Sequence, residues 1–169
     1  MEARSGDVLV RPWREADAAA HVAAIDCDDV ARWIDFPRPL TEADALAFFA
    51  RDALHFAVLH HGAVAGGVGL DPVRGDWAEI DWWVRPSSRR RGVARTAIGL
   101  VVAWAFESLE LGVVEARIQP ANVASRALAE ACGFVPLGSS VRRAHRGRDV
   151  ELLRYELRPS SLASRSSSS

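Results

Sequence analysis

The order of apolar and polar positions predicts a chain that mixes strands and helices. Short apolar or alternating runs predict strands at 8–11, 56–59, 63–70, 79–85, 113–119, 135–144 and 150–157. Longer runs with helical spacing predict helices at 13–25, 42–52, 92–109 and 122–132, and a shorter one that ends before Pro37. We therefore predict an α/β fold (α+β in some schemes) with about six to seven strands and about four helices.

Capping and turn residues mark where these elements begin and end. Thr41 is a good N-cap for the helix at 42–52, and Asp44 completes a capping box with it. Gly133 follows the helix at 122–132 in the position that favours a left-handed glycine. Pro72 and Gly75 predict a turn over 71–77. The strand at 79–85, the helix at 92–109 and the strand at 113–119 form a unit whose two strands should be parallel.

Length and charge narrow the class of protein. The 169 residues suit one domain, which we place at 1–158, and the Ser-rich segment 159–169 is predicted to be a disordered tail. The net charge of −1, from 21 basic and 22 acidic residues, argues against a nucleic-acid partner. Every basic residue is an arginine, so no lysine is available to form a Schiff base or to accept an acetyl group.

Cysteine usage and hydropathy predict neither a metal nor a membrane partner. Cys27 and Cys132 are too few for a disulfide framework and lack the spacing of a metal site. The longest apolar stretch, 98–106, is far shorter than the roughly 20 residues that span a bilayer. We predict a cytoplasmic protein without a metal, present as a monomer or a homodimer.

The junction between the strand at 79–85 and the helix at 92–109 holds the clearest candidate chemistry. The first amides of a helix lack intrahelical partners and lie at the positive end of its dipole, so they suit a pyrophosphate. Gly92 and Ala94 are small enough for a ligand to approach the backbone, and Arg89, Arg90 and Arg91 add positive charge. Composition alone leaves a solvated basic turn equally open.

Two motifs in order make this segment more specific. Arg89-Arg90-Arg91-Gly92-Val93-Ala94 follows the pattern Arg/Gln-x-x-Gly-x-Gly/Ala, and Asn122-Val123-Ala124-Ser125 precedes Cys132-Gly133-Phe134. With these motifs the chain resembles the GNAT superfamily of acetyl-CoA-dependent N-acetyltransferases. Arg11-Pro12-Trp13, Arg32-Trp33-Ile34-Asp35-Phe36-Pro37 and Pro39-Leu40-Thr41 are similar to its RimJ/RimL-like branch, which includes ribosomal-protein N-terminal acetyltransferases.

The resemblance implies a fold and a donor site. The fold would be a mixed, mostly antiparallel sheet with a central, splayed parallel pair. Acetyl-CoA would be the co-substrate, with its pyrophosphate on the amides around Arg90 to Arg95 and its pantetheine arm along the main chain of 82–84. The residues implied in binding it are Trp82, Trp83, Val84, Arg89, Arg90, Arg91, Gly92, Val93, Ala94, Arg95, Asn122 and Ser125.

The acetyl acceptor must be a neutral primary amine, so a base has to remove a proton from it. Glu79, near the start of the central strand, is the first candidate, and Asp81 on the same strand face is its competitor; structural carboxylates paired with arginine remain the alternative. The family's tyrosine after Gly-Phe is missing, which leaves Ser125 or water as the general acid. Packing is the expected role of Tyr155, the only tyrosine.

Trp33, Phe36 and Trp77 are predicted to line the acceptor pocket, with core packing as the alternative. The predicted function is acetyl transfer to a protein N-terminus or a small-molecule amine, by direct attack in a ternary complex. A non-catalytic acyl-CoA-binding regulatory domain is the second hypothesis. A nucleotide- or nucleic-acid-binding module built on Arg89 to Arg91 is the third.

Overall fold

An eight-stranded β-sheet organises the computed structural model, which describes residues 1–34, 36, 39–51, 53–145 and 147–159. The strands are β1 Ala3–Ser5, β2 Val8–Pro12, β3 Leu54–His60, β4 Ala63–Arg74, β5 Trp77–Val84, β6 Val113–Ile118, β7 Val135–His145 and β8 Arg148–Leu157. The helices are α1 Ala18–Ile25, α2 Asp28–Ala31, α3 Glu42–Phe49, α4 Val93–Ser108 and α5 Val123–Cys132. Two short 3-10 turns, Glu15–Asp17 and Pro86–Ser88, precede α1 and α4.

The strands follow the order β1-β2-β3-β4-β5-β6-β8-β7. The pairs β1–β2, β2–β3, β6–β8 and β7–β8 are antiparallel. The pair β5–β6 is parallel, with a register that runs from Trp77–Val113 to Ile80–Ala116, and β5 itself continues to Val84. The predicted mixed sheet with a central parallel pair is therefore confirmed.

The chain divides into two compact units, the first of which comprises Met1–Gly69 and Trp82–Val101. Its apolar core includes Val10, Ala24, Ile25, Ala57, Val58, Val68, Val93 and Ile98, all nearly inaccessible to solvent. A buried ion pair lies beside this core, in which the Arg11 guanidinium donates to both oxygens of Asp17 at 2.7 and 3.0 Å. Burial alone would raise the pKa of Asp17, but the hydrogen bonds from Arg11 and from the Arg14 amide lower it.

The second unit comprises Leu70–Asp81 and the chain from Val102 onward. Its core includes Leu70, Ile80, Val102, Val114, Ala116, Tyr155 and Leu157. Tyr155 is buried, as predicted, and its hydroxyl accepts a hydrogen bond from Nε of Arg126 on α5 at 3.1 Å. This hydroxyl therefore has a structural partner, as buried tyrosine hydroxyls usually do.

Helix ends follow the capping residues of the sequence. Thr41 Oγ1 accepts from the Asp44 amide at 3.2 Å, and the Asp44 carboxylate accepts from the Thr41 amide at 2.9 Å. The predicted capping box is thus confirmed. Asn122 caps α5 by accepting from the Ser125 amide at 3.2 Å, and Gly133 ends that helix with a φ of 98°.

Several predicted boundaries were wrong. The turn expected at 71–77 is confined to 75–76, because β4 continues through Pro72 to Arg74. The helix expected at 13–25 begins with the 3-10 turn and becomes α-helical at Ala18, while α2 is only four residues long. The sheet has eight strands, since β1, a three-residue edge strand, was not predicted. The Ser-rich segment lies outside the described residues from 160 onward, as do Asp35 and Pro37 of the N-terminal motif.

Candidate functional site

The turn between β5 and α4 has a backbone that only some residues adopt easily. Arg90 and Gly92 have positive φ values of 59° and 76°, in the left-handed region that favours glycine. A Cβ built on Gly92 would meet no atom within 4 Å, so this position needs glycine for its backbone angle and not for lack of space. The chain is therefore bent sharply just before the helix begins.

This bend presents the first amides of α4. The Thr96 amide makes the first backbone hydrogen bond of the helix, to the Gly92 carbonyl at 2.9 Å. The amides of Val93, Ala94 and Arg95 precede it and have no acceptor within the helix. They lie at the positive end of a 16-residue helix, beside the exposed Arg91. The arrangement can hold an anionic group such as a pyrophosphate.

Arg89 is tied to the rest of the first unit. Its Nε donates to the Val84 carbonyl at 3.3 Å, and its Nη1 lies 3.2 Å from Asp29 of α2. Both charged groups of this ion pair are well exposed, at 42% and 59%, so the pair contributes at most about 1 kcal/mol. The Arg85 amide and side chain bond to the carbonyls of Ala65 and Val64 of β4 at 2.9 and 3.0 Å. The start of the turn is thus anchored to the sheet at several points.

A network of carboxylates and guanidiniums covers one face of the second unit. Glu79 and Glu115 are register partners on the parallel strands, and both side chains are nearly buried. Both oxygens of Glu79 accept from the Arg143 guanidinium, at 2.8 and 2.6 Å, and Arg117 Nη1 lies 3.4 Å away. The predicted base is therefore held in a bidentate ion pair.

Glu115 accepts three hydrogen bonds from two guanidiniums. Arg117 Nε donates to one oxygen at 2.5 Å, and Arg154 donates to the other through Nε at 3.1 Å and Nη2 at 2.6 Å. Burial alone would raise the pKa of Glu115, but these hydrogen bonds lower it, while the same contact raises the pKa of Arg154. Glu115 thus keeps its charge, because β6 and β8 each supply it with an arginine.

The other predicted catalytic residues have different surroundings. Asp81 is exposed, and its charge contributes to raising the pKa of Arg143, after the larger effect of Glu79. Ser125 lies in the first turn of α5, and the side chain of Asn122 is occupied in capping that turn. The catalytic roles proposed for Glu79, Asp81 and Ser125 stay predictions.

Aromatic residues gather in the first unit around His21 of α1, a residue that the sequence did not single out. We call the following set the His21 cluster: His21, Trp13, Phe36, Phe48, Phe49 and Trp83. All five aromatic ring centroids lie between 4.8 and 5.9 Å from that of His21. The rings of Phe49 and Trp83 both stack on Trp13, with planes within 3° and 10° of parallel.

Glycines of β4 make room for these rings. A Cβ on Gly67 would lie 2.6 Å from Trp83 Nε1, and one on Gly69 would overlap the ring of His55. A Cβ on Gly66 would overlap the Trp83 carbonyl oxygen. The run Gly66-Gly67-Val68-Gly69 is therefore the sequence signal that could have indicated bulky rings packed on this strand.

The three residues predicted to line the acceptor pocket have separate environments. Phe36 belongs to the His21 cluster, with its ring centroid 5.2 Å from that of Phe48. Trp77 packs in the second unit under the Arg117 guanidinium, 5.3 Å from its ring centroid. The Trp33 ring contacts the neighbouring Arg32 at 6.0 Å. Their role as a pocket stays a prediction.

Comparison with models of protein families identifies the family to which the chain belongs. The model of the acetyltransferase (GNAT) domain matches residues 7–135, which include the turn before α4, both Glu79 and Glu115, and the Asn122 cap. The chain belongs to the GNAT family of acetyltransferases. It is thus an acyltransferase, and the acetyl-CoA-dependent N-acetyl transfer predicted from its motifs is confirmed at the level of the family.

Individual relatives of the GNAT family extend this result. YdaF of Bacillus subtilis (strain 168), named as a ribosomal N-acetyltransferase, is 24% identical over 145 residues, 78% of each chain. A GCN5-related N-acetyltransferase from Brucella melitensis has the same fold, with a TM-score of 0.83 and 23% identity over 96% of this chain and 80% of that one. Mycobacterium smegmatis RimJ, in complex with CoA-disulfide, gives a TM-score of 0.81 and 22% identity over 92% and 83%. These names support the predicted RimJ/RimL-like branch.

Two further kinds of site, metal centres and membrane-spanning helices, are not found among the described residues of the GNAT chain. The described residues contain no group of three or more His, Cys, Asp or Glu side chains arranged to hold a metal ion. None of the helices in the described part of the chain has the length and apolar character that crossing a bilayer requires.

Proposed function

We propose that this GNAT enzyme acetylates the α-amine of a protein N-terminus, with acetyl-CoA bound at the turn formed by Arg89 to Ala94. The geometry of that turn carries the donor half of the proposal. The name of YdaF, a ribosomal N-acetyltransferase, and the likeness to RimJ support the acceptor half. A small-molecule amine is the alternative acceptor.

The turn fits the pyrophosphate of CoA in shape and charge. Gly92 leaves open space where a side chain would stand, and the amides of Val93, Ala94 and Arg95 have no intrahelical acceptor. Arg90 and Arg91 are exposed and add positive charge beside those amides. Acetyl-CoA supplies the activated acetyl thioester, and these groups hold its phosphates in place.

The main chain of Trp82, Trp83 and Val84 is the proposed contact for the pantetheine arm. Trp83 has a fixed position because its ring packs on Gly67 and its carbonyl lies against Gly66. Arg89 contacts the Val84 carbonyl, so the strand end and the phosphate turn are linked directly. Asn122 and Ser125 at the start of α5 are proposed as further contacts to CoA.

Glu79 is the proposed acceptor of the proton that leaves the amine. Each of its oxygens already accepts one hydrogen bond from Arg143 and keeps a second lone pair, which can take a proton from the amine directly or through water. Asp81 is the competing candidate because it lies two residues further along β5. A water molecule or Ser125 would return a proton to the departing thiolate.

Isothermal titration with CoA tests the donor site. Gly92→Ala forces a side chain into a left-handed backbone, and we expect it to weaken CoA binding by about tenfold or more, since the amides move with the turn. Gly99→Ala is the matched control, because Gly99 lies inside α4 with open space around it and no positive φ. Equal affinities in both variants would show that the turn does not hold CoA.

The acceptor is tested separately with a panel of N-terminal peptides and small primary amines. Mass spectrometry should show one added acetyl group on the peptide α-amine, and a peptide without a free α-amine should stay unmodified. If only the small amines are acetylated, the acceptor is a small-molecule amine and not a protein N-terminus.

A further inference from the structure

The contact between Arg143 and Glu79 joins two distant parts of the sheet. Glu79 pairs in register with Glu115, which pairs with Glu156 of β8, whereas Arg143 of the edge strand β7 pairs with Val150, six residues before Glu156. In a flat sheet Arg143 would lie about 20 Å along the strands and about 14 Å across them from Glu79. Two side chains cannot span that distance, so the β7–β8 hairpin must bend over the sheet face to make the contact.

A bulge in β7 accounts for this bend. Between the pairs Pro136–Tyr155 and Ser140–Leu153, three residues of β7 (137–139) stand opposite one residue of β8. Gly138, in the middle of that stretch, has a φ of 66°. Extra residues in one strand bend it and increase its twist. The local sequence of β7 therefore directs the far end of the hairpin, which carries Arg143, towards Glu79.

Arg143 covers Glu79 and stays open to solvent. The Arg143 side chain is 46% exposed and that of Glu79 is 7% exposed, and Arg143 is more exposed than the other two guanidiniums of the charge network. In the ion pair between Arg11 and Asp17, by contrast, both side chains are buried. The contact with Arg143 thus lies where water and small molecules can reach it.

Arg117 offers Glu79 a second orientation. Arg117 Nη1 lies 3.4 Å from Glu79 Oε2, the oxygen that accepts from Arg143 at 2.6 Å. Without Arg143, the carboxylate would turn towards Arg117, because a nearly buried charge needs a partner. Contacts from one planar guanidinium to both oxygens instead fix the plane of the carboxylate.

We propose that Arg143 is a positioning residue for the base, and that the bent β7–β8 hairpin holds its guanidinium on Glu79 so that the free lone pairs of the carboxylate keep one direction. This role rests on the proposed function, in which Glu79 takes the proton of the amine as the N–C bond forms and the C–S bond of the thioester breaks. The direction matters because a reacting group misplaced by about 1 Å can cost about 100-fold in rate.

Steady-state kinetics of Arg143→Ala test this role. We expect kcat to fall about tenfold, with KM for acetyl-CoA unchanged, since Arg143 is not among the proposed CoA contacts. The loss is smaller than that expected for Glu79→Gln, because a hydrogen bond to a charged carboxylate also lowers its basicity and that effect disappears with Arg143. Arg158→Ala, which removes an exposed arginine from Glu156, is the control and should keep the wild-type kcat. A wild-type kcat in Arg143→Ala would overturn the proposal.

Chemical rescue distinguishes positioning from a structural role. Arg143→Ala leaves a gap at the surface, so guanidinium chloride, at concentrations far below those that unfold proteins, should restore part of kcat. Sodium chloride at the same ionic strength should not. Arg143→Lys, which keeps the charge but not the paired contact, should have an intermediate kcat, and it serves as the test if Arg143→Ala does not fold. Equal effects of the two salts, or full activity in Arg143→Lys, would show that the paired contact has no role in the reaction.

A double-mutant cycle separates this proposal from the assignment of the base. In the Glu79→Gln background, Arg143→Ala should cause no further loss of kcat, whereas additive losses would show that Arg143 does not act through Glu79. If Glu79→Gln is impaired and Arg143→Ala is not, the base is retained and the positioning role is refuted. If Glu79→Gln keeps the wild-type kcat, both are refuted. The same kinetics apply to a small-amine acceptor, so loss of the protein N-terminus as acceptor leaves this test intact.

Discussion

The substitution Glu115→Gln tests whether the buried carboxylates of the charge network stabilise the fold. The Glu115 side chain is 1% exposed and accepts three hydrogen bonds, one from Arg117 and two from Arg154. Glutamine keeps the size of the side chain and one carbonyl oxygen. It removes the negative charge and turns an amide donor towards a guanidinium donor, so at least one arginine loses its partner.

The expected cost follows from this geometry. Removing one partner of a buried ion pair costs about 3–5 kcal/mol, and the lower end applies here because the guanidiniums of Arg117 and Arg154 are 22% and 33% exposed. The glutamine oxygen retains part of the contact with Arg154, so we expect about 3 kcal/mol for Glu115→Gln at neutral pH. This is a large part of the roughly 5–15 kcal/mol that a domain of this size has in total.

The pH dependence has a defined sign. The pKa of Glu115 in the folded chain is lower than its ordinary value of 4.5, because hydrogen bonds from two arginines outweigh the effect of burial. Its charge therefore contributes fully to stability above pH 4.5 and progressively less as the pH falls through the folded pKa. The stability difference between wild type and Glu115→Gln should accordingly shrink below pH 4.5.

Urea unfolding, followed by tryptophan fluorescence and circular dichroism from pH 7 to pH 3, measures both effects. Glu156→Gln is the matched control: Glu156 is the register partner of Glu115, and its ion pair with Arg158 at 2.6 Å involves a guanidinium that is 55% exposed. We expect a loss of less than about 1 kcal/mol there. Two results would refute this account of Glu115. The first is an equal loss of unfolding free energy in Glu115→Gln and Glu156→Gln. The second is a difference in unfolding free energy between wild type and Glu115→Gln that stays constant from pH 7 to pH 3.

Four further substitutions address helix capping, packing and catalysis. Asn122→Ala should lower the free energy of unfolding by about 1 kcal/mol in urea titrations because α5 loses its N-cap, and an unchanged midpoint would contradict this. Gly67→Ala should cost about 1–3 kcal/mol and shift the tryptophan emission, since its Cβ would lie 2.6 Å from Trp83 Nε1; a variant with wild-type emission and stability would count against the packing described. Glu79→Gln should reduce kcat on the order of 100-fold in a CoA-release assay, and Asp81→Asn much less; the reverse ranking would identify Asp81 as the base.

Much of the fold was predictable because its signals are local. The capping box of Thr41 and Asp44, the Asn122 cap and the Gly133 helix end each depend on residues a few positions apart. The parallel pair followed from a strand–helix–strand pattern with one favoured hand. The prediction of a turn over 71–77 was wrong because it relied on a local signal alone. Pro72 is typical of turns, yet β4 accommodates it and continues to Arg74.

The surroundings of the candidate site were not predictable in the same way. Glu79 could be located on its strand, but its partner Arg143 lies 64 residues later on β7, and no local pattern connects them. The rings of the His21 cluster come from separate stretches of chain. Periodicity could predict that each ring is buried, but not which rings contact one another. The glycines of β4 could have indicated that large side chains pack there, but sequence reasoning did not use them.

The charge network of the second unit also differs from a lysine-based network in alkaline solution. Its cations are guanidiniums throughout, from Arg117, Arg143 and Arg154, and contact with the carboxylates raises the pKa of Arg143 and Arg154 further. Lysine ammonium groups would begin to lose their protons near pH 10, whereas these groups keep them. Alkaline solution converts ammonium acceptors into nucleophilic amines, so acetylation can be followed there with Glu79 and Glu115 still fully paired.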